Sequence, residues 1–138
     1  MTDDYALDAG VPAVAEFCHL RRIAGMTERS AVAAAAGLPN SWFAVLVRQG
    51  GVAVGMGRII GDGGLVFQIV DIAVDPAHQR RGLGKAIMAR LMAELRARAP
   101  GEAYVSLIAD GDARHLYGQF GLAPVMPESI GMAMWLTP

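Results

Sequence analysis

The chain is short of several things, and each shortage excludes something. Of 138 residues only Cys18 is a cysteine, and only Lys85 is a lysine. One cysteine rules out an intrachain disulfide and a cysteine-rich zinc site. Cys18 stands beside Phe17 in a helical-looking stretch, where a small buried thiol is the plain reading and a nucleophile the sharper one. Lys+Arg is 12 and Asp+Glu is 13, so the net charge is −1, without the basic excess of a nucleic-acid binder. Long apolar runs are missing too. The longest uncharged stretch, Ser30 to Val47, contains Gly37, Pro39, Asn40 and Ser41, which would break a spanning helix. The first residues, Met1 to Tyr5, are acidic and lack the pattern of a secretory signal. His19, His78 and His115 have no metal-ligand spacing. The expectation is one domain, 1–138, in the cytoplasm, with no metal, no nucleic acid and no membrane partner.

What is present is apolar residue, 54% of the chain, enough to bury a core. Pro12 suits a first helical position, so a helix is predicted over 12–24. A second, Ala-rich, is predicted over 28–36, stopped by Gly37 and Pro39. Strands are predicted at 42–47 and 52–60, joined through Gln49-Gly50-Gly51 as a hairpin, and at 65–74 after the 61–64 turn. The clearest helix is 82–99, with Leu83, Ile87, Leu91 and Leu95 on one stripe and Met88 and Met92 beside it. A strand at 104–109, a short helix at 112–120, and closing strands at 122–126 and 131–136 complete the order. That order predicts an α/β or α+β sheet with helices packed on it.

The segment joining the long strand to the clearest helix carries the chemistry. A helix N-terminus favours acidic residues and a Ser, Thr, Asp or Asn cap. This one begins with Arg80, Arg81 and Lys85, interleaved with Gly82 and Gly84. Each cation opposes the helix dipole by about 0.3–1 kcal/mol. Glycines admit close approach of a ligand to the backbone, and free N–H groups at a helix start bind phosphate. The pattern predicts a polyphosphate on the start of helix 82–99; the alternative is a solvated basic turn. Two known phosphate loops do not fit. Gly84-Lys85 is followed by Ala86 rather than Ser or Thr, and Gly82-Leu83-Gly84 is followed by Ile87 where a dinucleotide fingerprint has glycine.

A third pattern fits. Ile72-Ala73-Val74-Asp75-Pro76-Ala77-His78, followed by Gln79-Arg80-Arg81-Gly82-Leu83-Gly84, resembles the acetyl-CoA loop of the GNAT superfamily of N-acetyltransferases. Asp112 to Leu122 resembles its second motif, a helical tyrosine before Phe-Gly-Phe, with Leu122 at the last place. The two motifs cover residues 66 to 125.

The resemblance implies a GNAT-like, mostly antiparallel sheet with flanking helices and a splayed central strand pair. It implies acetyl-CoA as co-substrate and direct transfer of an acetyl group to an amine on a small molecule or peptide. Ile72, Ala73 and Val74 would offer backbone groups to the pantetheine arm, with the Val74 N–H as oxyanion donor. Gln79, Arg80, Arg81, Gly82, Leu83, Gly84 and Lys85 would take the phosphates. Tyr117 would be the general acid for the departing thiolate; the alternative is a core cluster with Leu116 and Phe120. The base is open. Asp71, an acid inside an apolar strand, is the first candidate, as base or as holder of a base water, with a structural acceptor as its other reading. Gln68 and Asp110 are two more residues that would face the acceptor cleft. A non-catalytic acyl-CoA sensor is the reading from another class. A homodimer is a further expectation, favoured if Met132, Met134 or Trp135 is exposed.

Overall fold

The computed structural model describes residues 4–136. Five strands and four helices run in the order β1 (Tyr5–Ala9), α1 (Val14–Ile23), α2 (Ala31–Gly37), β2 (Phe43–Gln49), β3 (Val52–Gly61), β4 (Val66–Val74), α3 (Leu83–Arg98), β5 (Tyr104–Ser106) and α4 (Ala113–Gly118). The sheet order is β1-β2-β3-β4-β5, antiparallel except for the β4–β5 pair. Chain packing separates two compact units, one ending at Leu107 and one beginning at Ile108.

In the first unit the sheet is buried on both faces. Val45 and Val47 are fully buried, and so is Leu46 between them, although successive side chains point to opposite faces. Helix α3 lies against β2, β3 and β4, and α1 lies against β3 and β4. The stripe read from sequence, Leu83, Ile87, Met88, Leu91, Met92 and Leu95, is the buried face of α3. Gly57 lets α3 come close: a Cβ there would lie 2.6 Å from Ile87 Cγ2. Below the sheet, Phe17, Leu20, Ala34 and Leu38 of the α1–α2 layer meet Leu46, Met56 and Ala73.

Helix α1 begins at Val14, two residues later than Pro12 suggested. Its start is organised by Glu16 instead. Glu16 Oε1 accepts from the Ala13 N–H at 3.0 Å, while Oε2 accepts from Arg48 Nη1 on β2 at 2.6 Å. The Arg48 hydrogen bond first, and the Ala13 N–H second, hold the Glu16 carboxyl below the ordinary glutamate range. Its stabilisation is therefore complete above about pH 4.3 and is lost as pH falls through the lowered folded value. Both partners are partly solvated, so Glu16→Gln is expected to cost about 1 kcal/mol at pH 7. In urea melts that deficit should shrink toward zero in acid; an equal deficit at pH 3 would remove the ionic contribution.

One strand was missed and one expectation is corrected. Strand β1 has no counterpart in the sequence reading, because its alternation, with only Tyr5 and Leu7 half-buried, spans just five edge residues. Among the described residues, 122–126 and 131–136 form no strand. Their apolar residues have the composition of strands, but a strand exists only with a ladder partner, and no ladder includes them.

Candidate functional site

The site is built on the end of β4 and the start of α3. β5 pairs with β4 only at Val66↔Tyr104, Phe67↔Val105 and Gln68↔Ser106. From Ile69 to Val74 the strand runs on without β5, so that edge is open. The resemblance implied a splayed central pair; here the pair whose ladder ends early stands at the edge of the described sheet. Across β3 the register shifts between Met56 and Arg58, so Asp71 and Ile72 together oppose Gly57 as a bulge. Asp71 sits at φ +59°, a conformation few non-glycine residues adopt.

The backbone direction at Val74 follows from its neighbour. The Asp75 N–H donates to the Val54 carbonyl on β3 at 2.8 Å. Successive residues of a strand aim their N–H groups to opposite sides, so the Val74 N–H faces away from β3, toward the open edge. The Val74 carbonyl, on that same side, accepts from Gln79 Nε2 at 3.2 Å. Gln79 thus ties the loop back to the end of β4.

The loop itself is ordered by its own residues. Asp75 Oδ1 accepts from the Ala77 N–H at 2.9 Å, and its carbonyl accepts from the His78 N–H at 2.8 Å. Tyr5 of β1 reaches across: its hydroxyl lies 2.7 Å from His78 Nδ1 and accepts from Arg81 Nη1 at 3.0 Å. His78 is therefore bonded across the fold to β1 rather than locally or to solvent alone. Arg80 and Gly82 both have positive φ, 63° and 79°, with Arg81 between them. Such alternation turns successive N–H groups toward one side, the geometry of an anion nest.

Helix α3 starts at Leu83 with no side-chain cap and no acid in its first turn. Its first internal bond runs from the Ala86 N–H to the Gly82 carbonyl. Among the described residues the N–H groups of Leu83, Gly84 and Lys85 have no acceptor. Arg80 and Lys85 are exposed and make no ion pair among the described residues. Three free donors on a dipole's positive end, under exposed cations, suit a polyphosphate. The structure thus brings together Ile72, Ala73, Val74 and Gln79 to Lys85.

Asp71 is placed differently from a solvent-facing base. Its Oδ1 accepts from Arg21 Nη1 at 2.7 Å and its Oδ2 from Arg58 Nε at 2.6 Å, and its side chain is 7% exposed. The slot it lines with Pro12, Met56, Gly57 and Arg58 has no room for a water molecule. Both oxygens serve arginines, which favours the structural reading of Asp71, with guanidinium groups as the donors. Arg21 and Arg58 are what the sequence reading missed. They lie on α1 and β3, 50 and 13 residues from Asp71, and no local spacing links them.

Tyr117 belongs to the second unit, in α4. Its carbonyl accepts from the Phe120 N–H at 3.0 Å, and Gly121 follows at φ +94°. Burial first, and the Asp110 carboxylate second, push its phenol above the ordinary tyrosine value. The hydroxyl therefore stays protonated through the physiological range. Cys18 is half-buried, with Sγ 3.6 Å from the Arg29 carbonyl. Among the described residues no group of three His, Cys, Asp or Glu could hold a metal, and no helix is long and apolar enough to cross a membrane.

The pattern of the acetyltransferase (GNAT) family matches residues 14–122. Among solved structures, a protein of unknown function, SA2161 from meticillin-resistant Staphylococcus aureus, superposes with a TM-score of 0.92 at 42% identity. That match covers 96% of this chain and 99% of the other. GCN5-related N-acetyltransferase 2, chloroplastic, from Arabidopsis thaliana is 35% identical over 82 residues, 59% of this chain and 31% of that protein. Serotonin N-acetyltransferase 2, chloroplastic, from Oryza sativa subsp. japonica is 36% identical over 86 residues, 62% and 42% of the two chains. The alignments thus span less than half the length of these curated relatives.

Proposed function

The chain belongs to the GNAT family of acetyltransferases, and on that premise we propose that it uses acetyl-CoA to acetylate a primary amine of a small molecule or peptide. The observation that carries the cofactor reading is the uncapped, cationic start of α3 behind a loop with alternating backbone handedness. In this reading the N–H groups from Arg80 to Lys85 take the pyrophosphate, and Arg80, Arg81 and Lys85 supply the charge. Ile72, Ala73 and Val74 offer the open β4 edge to the pantetheine arm. The neutral amine attacks the thioester carbonyl, a C–N bond forms, the nitrogen gives its surplus proton to solvent water, and the developing oxyanion accepts from the Val74 N–H. Collapse of that intermediate breaks the C–S bond, Tyr117 gives the CoA thiolate its proton, and solvent returns a proton to the phenolate.

Residues 1–138 act as one acetyltransferase domain in this proposal, and a cytoplasmic location accords with a lone thiol. Homodimerisation is part of the same reading. Met132 and Met134 are 88% and 79% exposed, which leaves apolar side chains available for contact with a second copy.

Tyr117→Phe is expected to lower kcat about 100-fold, at the low end for an acid whose leaving group is already a stabilised thiolate. The acetyl-CoA Kd should not move. Because the phenol is raised above its ordinary value, its protonated form persists to at least about pH 10, so the wild-type rate should show no loss of acid below that. Full activity of the variant across pH would remove Tyr117 from proton transfer. The test of the whole proposal is CoA release with a panel of amines, amino acids and peptide N-termini. A protein that binds acetyl-CoA and turns over none of them would be an acyl-CoA sensor.

A further inference from the structure

The cluster around Asp71 is unbalanced. Two guanidinium groups share one carboxylate; the Arg21 and Asp71 side chains are buried, 8% and 7% exposed, and Arg58 is mostly buried at 15%. Among the described residues neither arginine pairs with a second acid. The cluster therefore carries a net charge of +1 in surroundings that solvate it poorly, and an uncompensated buried charge is costly.

The two arginines are not equivalent. Arg21 engages all three of its nitrogens: Nη1 donates to Asp71, while Nε and Nη2 both donate to the Thr27 carbonyl, at 2.9 and 2.7 Å. It braces the turn after α1 against β4. Arg58 spends Nε on Asp71 and one Nη1 hydrogen on Ser41 Oγ, at 3.1 Å. Its Nη2 donates to nothing among the described residues. No buried side-chain nitrogen or oxygen among those residues lacks a partner, so Nη2 is not sealed from solvent. Asp71 holds this guanidinium by its Nε side and leaves the Nη side forward.

The place matters. Asp71 is three residues from Val74 on the unpaired edge of β4, roughly 10 Å along the strand. Nearby, Pro12 lines an apolar groove of about 400 Å³ with Val11, Val14, Ala34 and Leu38. Pro12 lines both the narrow Arg58 slot and this groove, so an acceptor amine lying in the groove would approach the solvent-open Nη2 side of Arg58 from there.

We propose that Arg58 is the specificity-determining residue for the acceptor, and that the acceptor is an amine that also carries a carboxylate. The inference rests on the acetyltransferase reading. A carboxylate suits it because the planar guanidinium fork presents parallel donors to two oxygens, and because it restores neutrality to the cluster. An apolar body on the same molecule would fill the groove.

The experiment uses the full chain and matched pairs: phenylalanine against phenethylamine, tryptophan against tryptamine, and O-phosphoethanolamine against ethanolamine. In wild type, kcat/KM for CoA release should favour the carboxylated member of each aromatic pair by at least about tenfold, the size of one charge-assisted bond. Arg58→Gln should bring that ratio near one, with the acetyl-CoA Kd unchanged. Because Arg21 and Asp71 remain as a balanced pair, this variant should keep its fold. Equal kcat/KM within each pair for wild type overturns the proposal. So does a variant that slows both members alike, which would mark Arg58 as structural. A preference for O-phosphoethanolamine that vanishes in Arg58→Gln would overturn the carboxylate assignment. In parallel, calorimetric titration of the CoA complex compares 3-phenylpropionate with 3-phenylpropan-1-ol. Arg58-dependent binding of the carboxylate alone supports the anion site even if no amine turns over, an outcome that would fail only the transfer reading. If Arg58→Gln does not fold, Arg58→Lys, which keeps the charge and loses the fork, takes its place with the same expected collapse of the ratio.

Discussion

Asp71→Ala is expected to cost about 3–5 kcal/mol of folding stability, the largest single-residue loss predicted for this chain. The reason is what remains after the change. Arg21 stays buried at 8% exposed and Arg58 mostly buried at 15%, and they lose the one carboxylate between them. Arg21 keeps the Thr27 carbonyl, and Arg58 keeps Ser41 Oγ. Neither is an anion, so two like charges then share a poorly solvated space above the Phe17 ring, 5.9 Å from each. The backbone offers no compensation. Asp71 sits at φ +59°, which alanine tolerates no better. Urea unfolding read by circular dichroism measures the loss. Arg58→Gln is the informative companion, because it removes the surplus charge rather than the shared acid. If Asp71→Ala costs less than about 1 kcal/mol, the pair of salt bridges is not holding α1 to β4. If it folds well and loses only turnover, Asp71 returns as a base.

The second large effect concerns the loop. Arg80→Glu combined with Gly82→Glu is expected to weaken acetyl-CoA binding by about 1,000-fold or more. That corresponds to about 4 kcal/mol. One charge-assisted contact accounts for roughly 1.5–3 kcal/mol of it, and repulsion between two new carboxylates and a pyrophosphate supplies the rest. Gly82 adds a backbone contribution. Its φ of +79° disfavours any side chain by about 1–2 kcal/mol, although a Cβ there meets nothing within 4 Å. The new side chain therefore enters the space over the free N–H groups of α3 without displacing core atoms. Melting temperature should fall by only several degrees while calorimetric affinity collapses. Unchanged affinity would place the phosphates elsewhere.

How much of this was legible differs from residue to residue. The α3 stripe could be read at 3.6-residue spacing because a helix on a sheet buries one face, and six of six named residues are buried. The cationic helix start could be read because its residues are adjacent in sequence and contradict the usual N-terminal preference. The β2 and β3 strands were legible as an apolar hairpin. Strand β1 was not, because its alternation spans just five edge residues. The 122–126 and 131–136 segments misled for the converse reason: apolar content marks what a strand needs, and only a partner makes one.

Sequence alone determined the family-specific loop, its charge and the helix it leads into, since all lie within the stretch from Ile72 to Lys85 and depend on local backbone chemistry. Tertiary structure decided the partners of Asp71. The same acidic residue in an apolar strand reads as a base or as a structural acceptor until its neighbours are known. Those neighbours, Arg21 from α1 and Arg58 from β3, arrive only through the sheet register and the helix packed beneath it. Ion pairing between distant residues is set by folded geometry, and no spacing along the chain encodes it.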